Sequence, residues 1–270
     1  MSRRLRINDW VVAWARRGIL TSALLATAAP GAAQQATERP RTPWAAGEYL
    51  EYSLKFGMAT AGSGRMQVVG RDSVRGRPAW HLKFDFSGGF LMLRVNDTFD
   101  SWIDAETGHS LRFEQRLNEL GTKRTRLYEI FPDRSTFSLN SEAEKPSVPD
   151  PLDDAAFFFF IRTIPLEVGK SYDFNRYFDP KANPVTIRVL RRDTVEVPAG
   201  RFAAIVIQPM IKTGGIFSEG GHAELWLSDD ERRMLLQMKS KLKFGSLNLY
   251  LRKFTLPPLA PGDSTRSFPP

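Results

Sequence analysis

Apolar residues recur at every second position through most of the chain. From Ala79 to Phe86, Trp80, Leu82, Phe84 and Phe86 alternate with His81, Lys83 and Asp85. Leu50, Tyr52, Leu54 and Phe56 do the same between Glu48 and Phe56. Leu111, Phe113, Gln115 and Leu117 form a third series, and Thr125, Leu127, Glu129 and Phe131 a fourth. In a fifth, Val185, Ile187 and Val189 alternate with Thr186, Arg188 and Leu190. Successive side chains of a strand point to opposite faces, so a period of two predicts strands with one dry and one wet face. That is the habit of antiparallel sheets. Turn-forming residues separate the runs at Arg75-Gly76, Ala105 to Gly108, Asn118 to Gly121 and Ala199-Gly200. About ten to twelve strands fit this template. No internal repeat is visible.

The stretch from Asp150 to Pro165 breaks the alternation and predicts a helix over about 150–164. Asp150 can cap it, Pro151 suits the first helical position, and Asp153 and Asp154 suit the positive end of the helix dipole. Pro165 ends it. A buried Phe-rich strand is the rival reading. The middle, Phe157, Phe158, Phe159, Phe160 and Ile161, is apolar all round, which predicts burial. These five residues are the candidate ligand-binding set. They are either a plug under a curved sheet or the lining of an apolar cavity able to hold an acyl chain.

The two ends of the chain have a different composition. Arg16-Arg17 precedes an apolar or small-residue run from Gly18 to Ala29, and Pro30-Gly31-Ala32-Ala33 follows. A basic start, a short apolar run and small residues at the break predict a secretion signal over 1–33, cleaved between Ala33 and Gln34. The run is too short to span a membrane, which takes about 20 residues. Arg3-Arg4 raises a twin-arginine route as the minority reading. Residues 34–46 predict a linker, 47–256 a single β-rich domain, and the Pro-rich 257–270 a disordered tail.

Composition narrows the function. The chain carries 38 Lys and Arg against 30 Asp and Glu, a formal +8. The leader holds Arg3, Arg4, Arg6, Arg16 and Arg17 against Asp9, which is half of that excess. The remaining basic residues lie among acids, so no basic face for nucleic acid is expected. Cysteine is absent. That removes disulfides, Cys-based zinc sites and a Cys nucleophile. With 19 Phe against 6 Tyr and 6 Trp, the core is expected to be Phe-rich.

No motif commits the chain to a reaction. Pro198-Ala199-Gly200 between two apolar runs reads as a tight hairpin. Gly214 to Gly221 lacks the Lys-Ser/Thr ending of a phosphate loop and reads as a hairpin tip, with Ile216 and Phe217 able to touch a partner. His222 and Glu224 would share a strand face, and with Asp229 they are the weak alternative for a hydrolase or metal site. His81 and His109 stand elsewhere, without zinc spacing. Asp229-Asp230 before Glu231-Arg232-Arg233 reads as a charged turn. Ser63, between Gly62 and Gly64, precedes a strand rather than a helix, so no nucleophile elbow forms.

Several segments together resemble one family. These are Gly47-Glu48-Tyr49-Leu50-Glu51-Tyr52 with Ala61-Gly62, Asp150-Pro151-Leu152 running into aromatics and Arg162, Val197 to Gly200 with Phe202, and Glu224 to Asp230 with Arg233. Over about residues 46 to 254 the chain resembles the bacterial exported family called domain of unknown function 3108. It departs from that pattern at Asp153, where a small hydroxyl residue is expected. The resemblance implies a fold similar to the lipoprotein carriers of the bacterial envelope, a strongly curved antiparallel sheet around a helix. The expectation is therefore an all-β or β-dominated open barrel with one buried central helix. It would be a periplasmic or secreted, non-enzymatic monomer without cofactor, metal, nucleic acid or a membrane span in the mature chain. Its partner would be an apolar small molecule or an envelope component, with a structural module binding an envelope protein as one alternative and the hydrolase as the other.

Overall fold

The structure is a computed structural model that describes residues 42–90, 93–119, 122–211, 222–242 and 245–259. The leader, its cleavage site and the Gly214–Gly221 loop with Ile216 and Phe217 lie outside the described residues. So does most of the tail.

Strands β1 (Tyr49–Phe56), β2 (Ala59–Val74), β3 (Arg77–Phe90), β4 (Leu93–Asp104), β5 (Ser110–Glu119), β6 (Thr122–Phe131), β7 (Thr136–Leu139) and β8 (Lys145–Pro146) form one antiparallel meander. The chain then enters helix α1 (Asp154–Phe160) and returns through β9 (Ser171–Phe174), β10 (Val185–Val197), β11 (Gly200–Ile211), β12 (His222–Ser228), β13 (Leu235–Leu242) and β14 (Gly245–Thr255). β14 pairs with β1, so the two meanders join into one open 14-stranded sheet whose edges are β8 and β9. The segment linking those edges carries the helix. Bulges fall in β2, β5, β10, β13 and β14, where an extra residue sharpens the local twist and lets a long sheet curl.

The alternation read from the sequence sets the buried face. Leu50 and Tyr52 of β1, Leu82 and Phe84 of β3, and Val185, Ile187 and Val189 of β10 all enter the main core. Two series need correction. In β6 the buried face is Tyr128 and Ile130, not Thr125, Leu127, Glu129 and Phe131. Phe131 stays on the outer side because the guanidinium groups of Arg75 and Arg134 cover its ring. In β5, Leu111 packs with Val74, Ala79 and Trp102 rather than with Phe113, because the register shifts between Trp102 and Ile103.

The helix is shorter than predicted. It runs over seven residues, and Asp153, not Asp150, is its N-cap, accepting from the amides of Ala155 and Ala156. Pro151 lies outside it, because Leu152 is held extended in a parallel bridge to Tyr177. Trp44 marks a second difference. It lies inside the predicted linker yet is only 2% exposed and sits in the core, because Phe159 offers its ring an edge-to-face partner. The packed domain thus begins before Gly47. Pro198 and Ala199 form the expected two-residue turn between paired Val197 and Gly200, with Gly200 at φ +135°.

Gly62 and Gly88 face each other across β2 and β3. A Cβ on Gly62 would stand 2.2 Å from the Ser87 carbonyl oxygen, and its φ is +153°. Gly62→Ala is therefore expected to force β2 and β3 apart, at about 1–3 kcal/mol. An unchanged urea midpoint would refute the close approach.

Candidate functional site

The helix and its surroundings are the most elaborated part of the interior. Phe157, Phe158, Phe159, Phe160 and Ile161 are all buried. Phe158 meets Phe84 at 5.3 Å between ring centroids, Phe159 meets Trp44 at 5.4 Å, and Phe160 meets Phe174 at 5.0 Å. A cavity of about 10 Å³ lies beside the helix among Trp44, Ile103, Leu152, Ala156 and Phe160. That is room for about one water molecule. The rings of α1 therefore contact protein on the sides described.

Two polar devices fix the helix. At its start, Asp153 is fully buried, with Oδ1 accepting from the Ala155 and Ala156 amides and Oδ2 from the hydroxyls of Ser101 (2.6 Å) and Ser110 (2.7 Å). The hydroxyl residue expected by resemblance would have capped the same amides; the carboxylate reaches the two serines as well. Burial pushes the Asp153 carboxyl up to about 6, although the Ala156 amide and both serines favour its charged form. At the far end, Arg162 is buried and donates to Glu48 Oε1 at 2.6 Å and Oε2 at 3.1 Å. It also donates to the carbonyls of Pro43 and Arg232 and lies beside both the Trp44 and Phe159 rings.

The Asp153 shift has a sign. Between about pH 4 and 6 the folded protein holds a proton that the unfolded chain, with its ordinary carboxyl, has released. Stability therefore rises as pH falls through that window. At about 1.4 kcal/mol per unit the gain is at most about 3 kcal/mol. Below that window the trend reverses. Burial pushes Asp100 and Asp104 up, but His81 and Arg116 at Asp100, and the Thr107 and Glu106 amides with Arg77 at Asp104, bring both below their ordinary value. Their contribution is lost in strong acid. Asp153→Asn keeps the caps and is expected to flatten the pH 4–6 rise in urea midpoints; equal slopes in both proteins would contradict the shift.

Of the hydrolase set, Glu224 and Asp229 are not brought together. His222 opens β12 and Asp229 follows its other end; the His222 side chain lies outside the described residues. Glu224 pairs with Arg191 at 2.8 Å, and Asp229 with Arg192 at 2.9 Å. Asp230 accepts from Ser228 and from the Arg232 and Arg233 amides, which makes the predicted charged turn. His81 pairs with Asp100, and His109 with Asp150. Among the described residues no cluster of three or more His, Asp or Glu could hold a metal ion.

One surface was not singled out from the sequence. Leu54, Phe86 and Phe99 face the core side of the sheet but are only partly buried. Phe86 lies 6.3 Å from Phe99, and Phe99 lies 6.3 Å from Phe113. The row continues through Tyr128, 5.8 Å from Phe113, to Phe178. Alternation marks Leu54 and Phe86 as inward, while Phe99 belongs to none of the series read from the sequence. Nor does alternation reveal that, among the described residues, the seven-residue helix leaves these side chains only partly covered.

No helix among the described residues is long and apolar enough to cross a membrane. The fold is similar to that of a β-barrel-like protein of the DUF1849 domain from Brucella abortus, at 10% identity and a TM-score of 0.54, over 80% of this chain and 99% of that one. It is also similar, more distantly, to a hypothetical protein from Chlamydia trachomatis, at 10% identity and a TM-score of 0.35, over 83% and 92% of the two chains. No curated protein matches the chain. A family profile described as a protein of unknown function, DUF3108, matches residues 51–252, which covers every strand from β1 to β14 except short pieces at the two ends. The chain belongs to the DUF3108 family.

Proposed function

We propose that this is an exported, non-enzymatic envelope protein that holds an apolar ligand on the inner face of its open sheet, beside the helix rather than beneath it. The observation that carries the reading is the partly exposed row of Leu54, Phe86 and Phe99 on the inner face. Apolar side chains gathered on a concave surface are what an acyl chain needs in order to leave water. The helix serves as the plug that shapes the rest of the interior. The leader over 1–33 supports the extracytoplasmic address, and the ion-paired Glu224 and Asp229 speak against a hydrolytic site there.

Native mass spectrometry on protein purified from its own envelope tests this. The expected result is a chain beginning at Gln34 that carries a copurifying amphiphile, and a Phe86→Ser, Phe99→Ser variant that carries none while melting as a folded protein. A full-length cytoplasmic chain would refute export. Ligand-free wild-type protein that also fails to take up a fatty acid would refute the binding role.

A further inference from the structure

The apolar row ends at a polar group of unusual make-up, where β4, β5, β6 and the first turn of α1 meet. Gln115 occupies an inward position between Phe113 and Leu117 and is 8% exposed. Its Nε2 donates to Asp154 Oδ2 at 3.4 Å, and its Oε1 is buried without a hydrogen-bond partner. Turning the amide over would set that oxygen against the Asp154 carboxylate, so the hydrogen bond fixes its orientation. Buried acceptors are ordinarily paired, and an orphan asks what would pair it. The Tyr177 hydroxyl donates to Asp154 Oδ1 at 2.8 Å. Both local donors are thus spent on Asp154. Around the helix start the site offers a visitor two acceptors, the Gln115 oxygen and the exposed Asp154 carboxylate, flanked by the half-buried rings of Phe99, Tyr128 and Tyr177. Acceptors beside aromatic rings suit a cation that carries N–H donors.

A fixed cation stands next to it. Arg126 is directly opposite Gln115 in the β5–β6 register, hence on the same face, and it stands close enough to the Tyr128 hydroxyl to favour its charged form. Its fork suits an oxyanion. From Phe99 the apolar row leads away through Phe86 toward Leu54.

We propose that the ligand is an amphiphile with a zwitterionic headgroup. Its primary ammonium sits between Gln115 Oε1 and Asp154, its neighbouring phosphate faces Arg126, and its acyl chain lies over Phe99 and Phe86. This deepens the binding reading above and rests on it. The test uses lysophospholipids of one acyl chain, below micelle-forming concentration, on the mature protein. The ethanolamine headgroup is expected to bind at least about tenfold more tightly than the glycerol headgroup, which keeps the phosphate and lacks the ammonium. The choline headgroup, which keeps the cation but has no N–H, should fall between the two. Asp154→Asn and Gln115→Leu should each lower ethanolamine binding toward the glycerol level and leave glycerol binding unchanged. Arg126→Gln should weaken all three phosphate-bearing ligands. Equal binding of all headgroups by the wild type would overturn the headgroup assignment while the apolar binding role stands. Binding of none, with a plain fatty acid also rejected, would overturn both.

Discussion

Arg162→Met is expected to cost about 3–5 kcal/mol of folding stability, because it strips the buried Glu48 carboxylate of its two-pronged partner and leaves it only the more distant Arg232 guanidinium at 3.8 Å. Glu48 is 1% exposed and Arg162 equally so, and no water can take over the lost bonds cheaply. The arginine also joins segments far apart in the chain: Pro43, Glu48 and the Arg232 turn. Lysine cannot replace it, since one ammonium does not reproduce a two-pronged contact to a carboxylate together with an Nε bond to a carbonyl. Adding Glu48→Leu to Arg162→Met should recover part of the loss, because it removes the stranded carboxylate, and only part, because Arg232 then loses its own contact to Glu48. Urea unfolding of the four proteins measures the coupling. A single-mutant loss under about 1 kcal/mol would mean that the pair is solvated and that the buried geometry is wrong.

Phe159→Ala is expected to cost a similar amount, about 3–5 kcal/mol, out of a total stability of roughly 5–15 kcal/mol. Phe159 is 2% exposed, meets Trp44 edge-on and lies beside the Arg162 guanidinium. Its removal leaves a hole where the nearby cavity measures only about 10 Å³. Partly exposed Phe86, truncated the same way, should cost distinctly less in the ligand-free protein, since it loses less buried surface. The comparison separates plug from ligand seat: thermal melts that place Phe86→Ala at or below Phe159→Ala in stability would reverse the two roles. The m-value should stay constant across the series if only the native packing is being changed.

Much of this fold was legible in the chain, since its causes are local. A strand buries one face, so Leu82 and Phe84, or Ile187 and Val189, announce themselves by period two wherever the sheet goes. Pro198-Ala199-Gly200 specified its own turn, because the φ of proline and the freedom of glycine do not depend on neighbours. The acidic, proline-bounded entry to the Phe run marked the helix, although its length did not follow. Leu152 is drawn into a bridge with Tyr177, and Asp153 gains two serine donors from β4 and β5, so a tertiary contact chose the capping residue.

The remainder depends on which strands lie side by side, and no local period carries that. The fourth alternating series pointed the wrong way because Arg75, reaching over from the turn between β2 and β3, and Arg134, three residues further on, shelter Phe131 on the outer face. Trp44 looked like linker until Phe159 was placed beside it, and Glu48 looked like an ordinary strand-edge charge until Arg162 arrived from more than a hundred residues away. The grouping of Gln115, Asp154, Tyr177 and Arg126 is of the same kind: each residue is unremarkable alone, and only the β5–β6 register and the helix start bring their polar atoms to one place. By itself the sequence determined the strand-rich class, the turns and the buried Phe helix, because side-chain alternation and backbone restriction act within a few residues. The tertiary structure decided which polar groups meet and which apolar surface stays uncovered, because both depend on long-range pairing and on how far a short helix reaches across a curved sheet.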